Sequence, residues 1–131
     1  PQWRRPHTAG MASVVIAVVG VFFLGMGLYG LAAPASLIKP FGVVLDRPVA
    51  RAEVRAVYGG FGVAIAGVLG YAFTHPEIRT GIVLTVAVAL AGMAFGRVVS
   101  ALCGDRTSFY PNWFYCLVEA AAAAALLLAI A

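Results

Sequence analysis

The chain has 131 residues, 63% of them hydrophobic and only 11% charged, with a mean hydropathy of +0.97 and a formal charge of +4. A soluble domain is about half apolar and about a quarter charged, so this composition excludes a disordered chain and a disulfide scaffold and argues against a water-soluble globule. The nine basic residues are scattered, with no Lys/Arg run and no basic helix face, so the charge excess reads as a topology signal and contact with anionic lipid rather than nucleic acid.

The chain opens on Pro1 rather than Met and closes on Ile130-Ala131 without a polar anchor, so the natural protein is expected to extend beyond one or both ends. After Arg4 and Arg5, an uncharged stretch holds an apolar core over 9–33, long enough to cross a ~30 Å hydrocarbon layer at about 1.5 Å per residue. Its basic start and Leu31-Ala32-Ala33-Pro34-Ala35 resemble a signal peptide, but the apolar part exceeds the usual h-region, which favours a retained span. Residues 34–47 are punctuated by Pro34 and Pro40 and followed by Pro48, yet carry Leu37, Ile38, Phe41, Val43, Val44 and Leu45. That mixture predicts an interfacial or partly re-entrant connection, with Lys39 reaching for headgroups.

Pro48 suits a helix start, and a second span is expected over 49–73, charged only near its beginning at Arg51, Glu53 and Arg55. Thr74-His75-Pro76-Glu77 has the pattern of a capping box and predicts a tight turn into a third span over 76–103. Gly104-Asp105-Arg106-Thr107-Ser108 is a polar turn, and a fourth span follows over 110–131, with one acid, Glu119, before six alanines from Ala120 to Ala125. The expected fold is all-α: one integral membrane domain, an antiparallel four-helix bundle with a longer interfacial connection between the first two spans. Arg4, Arg5 and Arg79 on one side against Lys39, Arg47, Arg51 and Arg106 on the other give no usable orientation signal.

Lipid tails are as apolar as leucine, so close backbone approach and polar contacts must hold such spans together. Gly59, Gly62, Ala66 and Gly70 on the second span, and Gly92, Gly96 and Ser100 on the third, are therefore expected to be packing positions. The first span adds Gly20, Gly25, Gly27 and Gly30. Packing within the monomer is favoured over a homodimer seam. Cys103 and Cys116 sit in or beside apolar runs, with no CxxC pair and no zinc-type spacing, and read as buried small hydrophobes in preference to a disulfide.

A charge at mid-helix costs about 2.5–3.5 kcal/mol on the insertion scale, so the charges inside the spans need partners or water. Counted from the turn, Arg97 lies ~10 Å into the third span and Glu119 ~12 Å into the fourth at the helical rise. As hairpin neighbours at similar depth they can form an ion pair. In an up-down bundle Glu53, Arg55 and Tyr58 reach the same layer, and Asn112 shares a face with Glu119. Asp105, Arg106 and Tyr110 would ring the mouth. Two readings stand. One is a pocket for the polar head of a lipid, an isoprenoid or quinone-like molecule or another amphiphile, with Arg55 and Arg97 as donors and the acids orienting them. The other is a structural ion-pair network that fixes helix register. No nucleophile motif, phosphate-binding loop or metal-ligand spacing is present in the sequence, and His7 and His75 are not placed to serve the pocket. No catalytic residue, metal or cofactor is assigned.

Arg51-Ala52-Glu53-Val54-Arg55-Ala56-Val57-Tyr58-Gly59-Gly60 and Gly96-Arg97-Val98-Val99-Ser100, followed by the Asp105-containing turn, are distinctive strings. They resemble a bacterial family of small four-span membrane proteins catalogued only as a domain of unknown function. That family pairs an acid-x-Arg-Ala-x-Tyr-Gly-Gly start of the second span with Gly-Arg-x-x-Ser in the third. The resemblance covers residues 10–131, and Gly104-Asp105-Arg106 departs from it where Asp-Gly is commoner. The family is distantly similar to DoxX-like four-helix proteins, which are associated with redox complexes and accessory roles; such a link implies a fold, not an activity. The resulting expectation is an accessory subunit of a larger membrane complex, in the bacterial inner membrane, with room for an amphiphile in its polar pocket. A stand-alone lipid or quinone-like binding or transport protein is the alternative, and an enzyme using Glu119 or Glu53 as acid or base comes last.

Overall fold

The computed structural model describes the backbone from Pro6 and the side chains from Gly10 to Ala131. Arg4 and Arg5, and the side chain of His7, lie outside the described residues. The described chain is helical with no strand: α1 Pro6–Ala32, α2 Pro34–Ile38, a 3-10 turn Lys39–Phe41, α3 Pro48–Val54, a π-helical turn Arg55–Gly60, α4 Phe61–Thr74, α5 Pro76–Leu102, a turn Phe109–Trp113 and α6 Phe114–Ile130. Four helical stretches are long and apolar enough to cross a membrane: Gly10–Ala32, Pro48–Thr74, Pro76–Leu102 and Phe109–Ile130. These are the length and composition of an integral membrane protein.

Prolines set several of the boundaries. A proline ring fixes φ and lacks the N–H that a first helical turn leaves unused. Pro34, Pro48 and Pro76 accordingly open α2, α3 and α5. The connection from Pro34, predicted as interfacial or partly re-entrant, begins as a short helix, and the chain turns at Gly42, whose φ of 76° suits glycine.

The capping box is corrected by the structure. The N-cap of α5 is His75, at φ −129° and ψ 82°, and it makes no side-chain cap bond. A residue before proline is pushed out of the α region, so Pro76 moves the helix start one position past Thr74. The Thr74 hydroxyl lies 2.9 Å from His75 Nδ1 instead. Arg79 closes this turn by donating Nε–H to Ala72 O at 3.0 Å and Nη2–H to Phe73 O at 2.7 Å, which satisfies last-turn carbonyls of α4.

The contacts divide the chain into two compact units. The unit from Ala17 to Tyr71 is built on a close crossing of α1 with the second span. A Cβ added at Gly27 would lie 2.6 Å from Val63 N and 2.8 Å from Gly59 O; one at Gly62 would lie 2.9 Å from Gly27 Cα and 3.0 Å from Phe23 O. A Cβ at Gly59 would meet Leu31 Cδ2 at 2.8 Å and Leu31 N at 3.0 Å. Backbone meets backbone here, the contact that glycine permits and lipid does not replace.

The other unit joins α1 up to Ile16 with Ala72–Ala131. In it α6 runs back along α5, with Val83, Val86, Ala87, Leu90 and Ala94 buried on α5 and Cys116, Glu119, Ala123, Leu126 and Ala129 buried on α6. Both sets recur at three- and four-residue steps, the period of one helix face. The alanine run keeps α6 thin along this seam. The packing role expected of Gly92 and Gly96 does not hold within this unit. A Cβ at either position would meet nothing within 4 Å, because the buried face of α5 runs through Val83, Val86, Ala87, Leu90 and Ala94 while these glycines lie on exposed positions. Ser100 is half-buried and donates its hydroxyl to Asp105 Oδ2 at 3.2 Å, bracing the turn instead of a helix seam. Cys116 is buried and free, with Sγ 3.7 Å from Ala94 O. Cys103 corrects the expectation of burial: it is exposed, since it follows the end of α5 and caps it.

Candidate functional site

The hairpin of α5 and α6 carries the main polar cluster. Gly104, at φ 103°, reverses the chain after Cys103, and the short turn holds the end of α5 opposite the beginning of α6. Tyr110 is extended at φ −97° and ψ 135°, as a residue before proline tends to be, and the helical path resumes from Pro111. This brings Arg97 within reach of two residues of the returning helix. Arg97 Nε–H donates to Glu119 Oε1 at 2.8 Å, and Nη2–H donates to Glu119 Oε2 at 3.0 Å. Nη1–H donates to Asn112 Oδ1 at 3.1 Å. The fork of the guanidinium matches the carboxylate at both oxygens, the strongest form of this pair. Glu119 is the buried charged side chain among the described residues. In side-chain terms it is 8% exposed and Arg97 is 21% exposed, so one edge of the arginine is open while the acid is enclosed.

Asn112 and Glu119 reach one guanidinium because seven residues is close to two helical turns. Around the start of α6 the rings of Tyr110, Phe114 and Tyr115 cluster, with centroids 5.8 Å (Tyr110–Phe114), 6.2 Å (Tyr110–Tyr115) and 5.1 Å (Phe114–Tyr115) apart. Aromatic residues at the end of a span are a usual feature of the membrane–water boundary.

Glu53, Arg55 and Tyr58 belong to the unit that contains α1 and α4. Arg55 and Tyr58 sit in the π-helical turn Arg55–Gly60, directly before α4. Arg55 Nε–H donates to Leu31 O at 3.0 Å, a carbonyl of the last turn of α1. Arg51, one turn earlier, donates Nη1–H to Leu45 O at 3.2 Å. Glu53 and Arg55 are exposed and Tyr58 is half-buried. The structure thus unites Arg97, Asn112 and Glu119 as a bonded group, and gives Arg55 a helix-end carbonyl as its partner.

Sequence reasoning missed the π turn. A widened turn adds one residue to a helix without changing its composition, so hydropathy does not reveal it; the paired glycines Gly59-Gly60 are the local hint. The chemistry open to the α5–α6 cluster is hydrogen bonding from an internally neutralised group. Three N–H groups of Arg97 are engaged by Glu119 and Asn112, so the arginine is not a free anion trap. Among the described residues, no group of three or more His, Cys, Asp or Glu side chains is arranged to hold a metal ion.

No curated protein and no solved structure matches the chain. The family DUF4345, a domain of unknown function, matches residues 11–130, which takes in all four candidate spans apart from Gly10, including the α5–α6 cluster and the π turn. The chain belongs to the DUF4345 family.

Proposed function

We propose that this protein is a non-catalytic integral membrane subunit of a larger membrane assembly, and that its α5–α6 polar cluster receives the head of an amphiphile. The observation that carries the reading is the engagement of Arg97 by both Glu119 oxygens and by Asn112. Removing two charges from water costs several kcal/mol per ion, and a pair of this geometry offsets that cost. A partly exposed, charge-balanced edge suits a neutral or zwitterionic group rich in carbonyl or hydroxyl oxygen, such as a lipid ester or a quinone-like ring. It does not suit a bare anion.

The finer architecture that goes with this reading is an antiparallel four-helix bundle, distantly DoxX-like, in the bacterial inner membrane. In it residues 34–47 lie at the interface. The open faces of Gly92 and Gly96 are offered to a partner subunit. The test is gentle extraction and native mass spectrometry. A fixed stoichiometry with a larger protein and a retained amphiphile supports the proposal. A stable isolated monomer that retains an amphiphile moves the function to a stand-alone binding or transport protein. A monomer with turnover, abolished by Glu119→Gln with the fold intact, overturns both.

A further inference from the structure

The connection from α2 into the second span holds a second set of charges that the α5–α6 cluster does not use. Lys39, Arg47, Arg51 and Arg55 face two acids, Asp46 and Glu53, within the same seventeen residues, a surplus of two positive charges. None of the four makes an ion pair among the described residues. Lys39 and Arg47 are exposed, and their side chains have no hydrogen-bond partner among the described residues. Arg51 and Arg55 each give one N–H to a backbone carbonyl, Leu45 O and Leu31 O respectively. A guanidinium has five N–H donors, so each is aimed by one bond and keeps the rest. The two are one turn apart on the same helical stretch. Beside them stand exposed apolar side chains, Val44 at 79% and Val49 at 70%.

Cations that form no ion pair among the described residues, two of them aimed by a backbone carbonyl, set in a stretch with exposed apolar side chains, match one ligand chemistry: a phosphate attached to acyl chains. We propose that the connection spanning Lys39 to Arg55 is a seat for an anionic phospholipid, with Arg51 and Arg55 holding the phosphate and Lys39 and Arg47 adding charge. The valines occupy the boundary of headgroup and acyl chain, where the hydrophobic term adds to the electrostatic one. This seat is independent of the Arg97 cluster, and a Glu119→Gln variant is expected to leave it intact.

The test presents the detergent-purified protein with equal amounts of phosphatidylglycerol and phosphatidylcholine and reads retained lipid by native mass spectrometry. The wild type is expected to retain phosphatidylglycerol preferentially. A cation near an anionic surface contributes about fivefold to binding, so Lys39→Gln with Arg47→Gln is expected to weaken retention about thirtyfold. Those two side chains have no internal partner, so this variant keeps the wild-type helicity. Arg51→Gln with Arg55→Gln is expected to remove the preference, with circular dichroism checking its fold. Equal retention of the two lipids by the wild type overturns the proposal. So does undiminished phosphatidylglycerol retention in the Lys39/Arg47 variant, or displacement of the lipid by inorganic phosphate alone.

Discussion

Arg97 and Glu119 stand twenty-two positions apart in the chain and meet through two parallel hydrogen bonds of 2.8 and 3.0 Å. The pair ties the last third of α5 to the first third of α6, and Asn112 adds a third bond to the same guanidinium at 3.1 Å. A double-mutant cycle measures this directly. Arg97→Met leaves the buried Glu119 carboxylate unpaired and is expected to cost about 3–5 kcal/mol, and Glu119→Leu, which leaves the partly exposed Arg97 with Asn112, is expected to cost less. The double substitution is expected to cost clearly less than the sum, with a coupling of at least ~1 kcal/mol. Unfolding in mixed micelles, followed by steric trapping, supplies the four free energies.

Lysine is not expected to replace Arg97. It keeps the charge but loses the fork that spans both oxygens of Glu119 and reaches Asn112. Arg97→Lys should recover less than half of the stability lost in Arg97→Met. Recovery of nearly all of it would mean that charge alone matters.

The glycines divide into two groups. Gly27→Ala and Gly62→Ala place a Cβ within 2.6–3.1 Å of facing backbone atoms, and each is expected to destabilise by about 1–3 kcal/mol. Gly92→Ala and Gly96→Ala meet open space in their own unit and are expected to be neutral or stabilising by up to about 1 kcal/mol in the isolated chain. If the open face of α5 receives a partner, Gly92→Leu weakens co-purification while leaving the isolated chain folded.

The turn between α4 and α5 depends on Arg79. Arg79→Gln removes two charge-assisted bonds to Ala72 O and Phe73 O. The expected loss is about 1–3 kcal/mol, with faster amide exchange at His75 and Ile78, whose N–H groups are bonded within this turn. Unchanged exchange there would show that Pro76 alone fixes the corner.

The spans were legible in the sequence because each apolar run is about as long as the hydrocarbon layer is thick, and because Pro48 and Pro76 mark helix starts. The Arg97–Glu119 pair was legible for a simpler reason: a short turn fixes the relative depth of two helices, and depth follows from the rise per residue. Other features were hidden. Thr74 and Glu77 had the spacing of a capping box, but the restriction before Pro76 moved the cap to His75. Gly62 and Gly92 look alike in a hydropathy profile, yet only Gly62 lies against backbone in its own unit. A small residue carries no mark of which face its helix presents. The carbonyl partners of Arg51, Arg55 and Arg79 were hidden too, since backbone acceptors leave no trace in residue type.

A charge-balanced arginine between two helices with an amphiphile at its open edge is tested most directly by a density map of the protein in a lipid nanodisc. The expected map shows the Arg97 guanidinium bracketed by Glu119 and Asn112, with elongated non-protein density ending beside it. A map with Arg97 and Glu119 on separate faces, each turned to lipid, would contradict this arrangement.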